Sequence, residues 1–170
     1  MRGVMFILPV AFLGLMQVAL AQGDKLLSLV EATRLPYKVQ GQFLTLTMKD
    51  EEENRFFLYM REEEGNLIIA IPVGTINSLS ESIIREITDK LVVKSPWKKL
   101  AESGAQAEIA LGDGVSFQTN QVLVSVRIPA RRLFADEAAL TEKAKEFRQT
   151  LTRIIAAASV AKAVVELFRK

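Results

Sequence analysis

The sequence predicts an α+β protein: an antiparallel sheet of a three-stranded meander plus a strand pair, packed by helices on one face and closed by a long C-terminal helix. Three observations predict it. Apolar runs separated by short acidic turns occupy residues 44–71, a second alternating run spans Val122 to Ile128, and a four-and-three apolar spacing runs from Leu140 to Phe168.

The chain opens with Met1 and Arg2, then Gly3 to Met16 without a polar side chain, then Ala19-Leu20-Ala21. A charged start, an apolar core and small residues at the −3 and −1 positions are the order of a cleavable export signal. Ala19 and Ala21 are the residues signal peptidase would read. The apolar run is shorter than the roughly 20 residues that span a bilayer, and Pro9 interrupts it. The expectation is cleavage after Ala21, a mature domain over 22–170 with no membrane span, and a location in the periplasm or outside the cell. With no cysteine in the chain, no lipid anchor can form on a lipobox thiol.

Asp24 can cap a first helix carrying Leu26, Leu27, Leu29 and Val30, and Pro36 stops it. Leu44, Leu46 and Met48 alternate with Thr45 and Thr47, a strand with one buried face. Asp50 to Glu53 turns the chain into Arg55 to Met60, a run apolar on both faces that suits a central strand. Glu62 to Gly65 turns it again into Leu67 to Ile71, completing a meander. Ser78 and Glu81 have capping-box spacing before a helix striped by Ile83, Ile84, Ile87 and Leu91. Ser95-Pro96 starts a shorter helix with Pro96 at its first position, where the missing N–H costs nothing, and Gly104 ends it.

A strand pair is expected around Gly112-Asp113-Gly114. Val115, Phe117 and Thr119 fall on odd positions, whereas Val122, Val124, Val126 and Ile128 fall on even ones. A one-residue slip exchanges the faces of a strand, so a bulge or turn is expected at Asn120-Gln121. From about Asp136 the chain reads as one helix. Leu140, Ala144, Phe147, Leu151, Ile154, Ala158, Ala161, Val165 and Phe168 form a heptad seam.

Composition narrows the chemistry. The chain has no histidine, which removes the commonest general base and the commonest transition-metal ligand. Ser-His-Asp, Cys-His and His-zinc sites are therefore excluded. Carboxylate pairs and Ser-Lys pairs survive, but no spacing positions one, so an enzyme ranks last and no cofactor is expected. Removing Arg2 from the 22 basic residues leaves 21 against 20 acidic ones, which gives no bulk attraction for nucleic acid.

Four features invite a site, and each has a plainer explanation. The acidic runs Asp50 to Glu53 and Glu62 to Glu64 lack the alternating ligand spacing of a calcium loop. A meander also places them about 20 Å apart, at opposite ends of one strand. Lys94, Lys98 and Lys99 surround the only tryptophan, Trp97, where a buried indole with solvated lysines is the simpler reading. Gly112-Asp113-Gly114 lacks the lysine and following helix of a phosphate loop, so it reads as a hairpin turn. The second half of the last helix is rich in small apolar residues. Packing inside the chain explains it. If it instead projects past the sheet, Ile154, Ala158, Ala161, Val165 and Phe168 form a partner or dimer interface.

The order helix, three strands, helix, strand pair, helix resembles the YbjN family, which in turn is similar to the type III secretion chaperone fold. The residues that carry the resemblance are Leu35-Pro36-Tyr37, Gly41, Gly112-Asp113-Gly114, Arg127-Ile128-Pro129 and Leu133, across roughly Asp24 to Ile155. The resemblance implies a non-enzymatic domain, and chaperones of that fold act as dimers that hold unfolded segments of partners. The helix at Ser95 to Gly104 and the long tail are additions of this chain. The resulting expectation is an exported, non-catalytic binding or chaperone-like module that engages an unidentified protein partner, or a second copy of itself, through its sheet face or terminal helix. The other expectation is an envelope protein that takes a small apolar or lipid ligand.

Overall fold

The computed structural model describes residues 23–134 and 139–169. The expected export signal, with Ala19 and Ala21, and the expected helix start at Asp136 lie outside the described residues. Helix α1 (residues 23–33) leads into strands β1 (Tyr37–Gln40), β2 (Phe43–Lys49), β3 (Arg55–Glu63) and β4 (Asn66–Thr75). Helices α2 (Glu81–Val92) and α3 (Ser95–Glu102) follow. Strands β5 (Gln106–Leu111) and β6 (Gln121–Pro129), the short α4 (Ala130–Leu133) and the long α5 (Leu140–Leu167) complete the chain.

All six strands join one antiparallel sheet in the order β1-β2-β3-β4-β6-β5. The α+β class, the meander and the long terminal helix on the sheet are therefore as the sequence predicts. The meander turns follow from local chemistry. Asp50 accepts hydrogen bonds from the Glu52 and Asn54 backbone N–H groups at 3.0 and 2.8 Å, which closes the β2–β3 turn. Glu64 and Gly65 both have positive φ, 50° and 73°, as a tight two-residue hairpin between β3 and β4 requires.

One face of the sheet meets the helices. Leu46, Leu58, Met60, Leu67, Ile69, Ile71, Val124 and Val126 point there and are fully buried, each contributing roughly 1.5–3 kcal/mol of apolar burial. Leu29 and Val30 of α1, Ile87 and Leu91 of α2, and Leu100 of α3 cover them. Helix α5 packs on β4, β6, α2 and α3, and Ala157, Ala158 and Ala161 let it approach closely. A bulge between Pro72 and Gly74 serves the same approach: a Cβ on Gly74 would lie 2.8 Å from Val165 Cγ1.

Four local expectations are corrected. Strand β1 was not foreseen, since its four residues are all exposed and show no alternation of burial. The cap of α2 is Ser80, whose Oγ accepts from the Ile83 N–H; Ser78 lies two residues too early. Pro96 stands at the second position of α3, behind Ser95. Finally, Val115, Phe117 and Thr119 are not strand residues. They belong to a loop, and the expected turn before β6 closes it through Gln121 N–H to the Gln118 carbonyl at 2.9 Å.

Candidate functional site

Among the described residues, no helix covers the other side of the sheet. Register places one residue from each strand in a row across it: Lys38, Thr45, Tyr59, Ala70, Ser125 and Glu108. The neighbouring positions bring up Thr47, Phe57, Arg61, Ile68, Leu123 and Arg127. Small residues at 45, 47, 70 and 125 keep the surface low, and aromatic rings rise from it.

Those rings form a cluster. The Tyr59 ring stands edge-on to Phe43 and Phe117, at 5.9 and 5.1 Å between centroids, and Phe43 and Phe117 are 6.1 Å apart. Such geometries suit aromatic quadrupoles. The Arg61 guanidinium lies 5.7 Å over the Phe43 ring and bonds Glu63 at 2.8 Å. Phe117 arrives from the β5–β6 loop, which Asp113 organises by accepting the Val115, Ser116 and Phe117 N–H groups. Those three donors hold the Asp113 carboxyl below the usual carboxylate range. Gly112 is required there, because a Cβ would stand 1.9 Å from the Gln118 carbonyl oxygen.

Tyr59 divides two shallow hollows. One, of about 190 Å³, is bordered by Tyr37, Lys38, Gln40, Thr45, Thr47 and Phe57. The other, of about 140 Å³, lies against Phe43, Ile68, Leu123 and Phe117. The first has an unusual floor. Thr45 is 8 % exposed, and its hydroxyl oxygen is sealed from solvent without a hydrogen-bond partner. An unmade bond of this kind costs about 1–3 kcal/mol. Beside it, Tyr37 donates to Glu31 at 2.7 Å, a bond that raises its phenol above the ordinary value.

Of the features singled out in the sequence, Gly112-Asp113-Gly114 shapes the loop that carries Phe117, and the others fall elsewhere. The two acidic turns cap opposite ends of β3, and among the described residues no three acidic, cysteine or histidine side chains gather to hold a metal. Asp50 borders a cleft of about 530 Å³ between the β2–β3 turn, Pro96 and α5, but its oxygens are occupied. Partial burial of Asp50 opposes ionisation; Asn54, Ser159 and the backbone at Asn54 and Glu52 donate to it and bring its carboxyl below the usual range. The Ser159 bond, at 2.8 Å, ties this turn to α5 as a structural fastening.

Trp97 is buried and donates from Nε1 to the Ala157 carbonyl at 3.0 Å, while Lys94, Lys98 and Lys99 are exposed. On α5, Ile154, Ala158 and Ala161 are 0 % exposed and Val165 is 1 % exposed; all four lie in the core, and Phe168 packs partly against it. The seam is thus filled by the chain itself, as the intramolecular alternative has it. No described helix is long and apolar enough to cross a membrane.

Sequence reasoning named the sheet face as a contact surface but not the residues that make it, because it had no view of which side the helices take. The signal was nonetheless present: Thr45 and Thr47 alternate with Leu44, Leu46 and Met48, which marks the polar face of β2. No protein-family model matches this chain, and no curated protein sequence matches it.

Proposed function

We propose that the mature chain is an exported, non-catalytic binding module with chaperone-like behaviour, which engages an extended stretch of a protein partner across the open face of its sheet. One observation carries this: a six-stranded sheet whose described helices pack on one side, while the other side displays half-buried aromatic rings between shallow hollows. Exposed apolar and aromatic surface of this kind marks an interaction site. The sequence resemblance to the YbjN family and the secretion-chaperone fold supports the same reading, and we adopt that subtype as part of the proposal.

A protein partner is preferred to a lipid. Hollows of 190 and 140 Å³ lie below the roughly 300 Å³ at which ligand pockets begin, and the larger cleft at Asp50 is rimmed by carboxylates. The partner belongs on the open face and not on the α5 seam, whose Ile154, Ala158, Ala161 and Val165 are consumed in the core.

Aggregation of dithiothreitol-reduced insulin tests the reading, and the absence of cysteine leaves this chain untouched by the reductant. The mature protein should slow light scattering at near-stoichiometric ratio, and the double variant Phe57→Ser, Tyr59→Ser should lose that effect while staying folded. Equal aggregation with and without the wild-type chain would sink the proposal.

A further inference from the structure

The charges around the open face are unbalanced. Lys38, Lys49, Arg55, Arg61 and Arg127 stand on it by register, against Glu63 and Glu108, with Asp113 bordering the second hollow. Lys49 is paired with Glu53 and Arg61 with Glu63. Among the described residues Lys38, Arg55 and Arg127 have no carboxylate partner, and all three are exposed. Among the described residues, no acidic side chain borders the hollow at Thr45.

That hollow contains a second, independent feature. The Thr45 side chain is more than nine-tenths buried, and its hydroxyl has neither water contact nor a protein partner. It lies between Lys38 on β1 and Tyr59 on β3, its direct cross-strand neighbours. The hydroxyl is thus flanked by the Lys38 and Tyr59 side chains, in a hollow that Phe57 also borders. An aliphatic ligand leaves these donors unmet, and a cationic one is repelled by Lys38. A carboxylate satisfies both.

We infer that the open face takes an extended acidic segment bearing aromatic side chains, with one of its carboxylates seated in the hollow between Lys38, Thr45 and Tyr59. The inference rests on the reading of the open face as a partner site and names that partner's chemistry. As the Lys38 side chain turns to meet the carboxylate, the Thr45 hydroxyl gains its missing partner. Arg55 and Arg127 then steer further acidic residues over the sheet. A second copy of the chain is a poor occupant, because stacking two open faces would oppose two sets of basic groups.

The test uses the whole mature chain and three labelled peptides of equal length: alternating Glu-Tyr, alternating Lys-Tyr and alternating Ser-Tyr. Fluorescence anisotropy should show the acidic peptide binding at least about tenfold tighter than the basic one, with affinity falling as salt rises. Lys38→Glu should reverse the order. Thr45→Val keeps the shape and deletes the hydroxyl, so it should raise Tm and weaken the acidic peptide by about tenfold. A rise in Tm with unchanged affinity assigns the hydroxyl a packing role alone and overturns the inference. So does indifference to peptide charge, absence of binding, or preference for phosphatidylglycerol vesicles over all three peptides. If insulin aggregation is still suppressed in those cases, the partner-site reading survives and only the acidic chemistry fails.

Discussion

Phe56 and Phe57 are chemically identical neighbours on β3, yet one is 1 % exposed and the other 44 %. The same contrast runs through the whole strand: Leu58 and Met60 are buried under helices, while Tyr59 and Arg61 face outward. An apolar residue on the covered face completes a packed interior. On the open face it leaves apolar area in water, a cost that folding alone does not require. The difference teaches that hydrophobicity on this sheet serves two ends, cohesion on one side and contact on the other.

The largest effect should come from truncating the two phenylalanines separately. Phe56→Ala should cost about 3–5 kcal/mol in urea unfolding, and Phe57→Ala less than about 1 kcal/mol. Similar losses would mean that the open face carries core energy and the contrast is false. Next, Gly74→Ala should cost about 1–3 kcal/mol, because its Cβ would collide with Val165 on α5 where the covered face is tightest. A neutral result would show that α5 yields where the comparison holds it rigid.

The smallest effect concerns the charge at the margin of the covered face. Burial raises the Glu62 carboxyl above its usual range, Lys25 opposes this, and Oε1 has no hydrogen-bond partner. A carboxyl raised in the folded state favours folding when protonated. That contribution is complete below the unfolded value of about 4.3 and is lost as pH rises through the folded one. Glu62→Gln should therefore raise stability at pH 7, by less than about 1 kcal/mol, with the gain vanishing near pH 3. Thermal unfolding at the two pH values measures it, and a gain that persists at pH 3 would remove the titration from the account.

Much of the architecture was legible because periodicity reports burial. Leu44-Leu46-Met48 and the seam from Ala144 to Val165 could be read directly, since one apolar face repeats with the period of its element. Three features resisted for physical reasons. The four exposed residues of β1 have no burial to report, and their strand exists only through pairing with β2. Phe117 alternates with Val115 as a strand would, but Asp113 bends the backbone and sends the ring onto Tyr59. The run Phe56 to Met60 is apolar at every step, so no local rule tells which side the helices will cover. The Thr45 hydroxyl was equally hidden, because an unmade hydrogen bond is a property of the assembled neighbourhood and not of threonine.

The indole bond between Trp97 and the Ala157 carbonyl has an optical consequence. The chain has one tryptophan and two tyrosines; the indole is locked beneath α5, whereas the Tyr59 ring stands on the open face and Tyr37 is tied to Glu31 of α1 at its edge. Emission excited at the red edge thus reports whether α5 is seated, and tyrosine absorbance reports what rests on the other side. The native protein carries two separate dyes, one for its integrity and one for its occupancy.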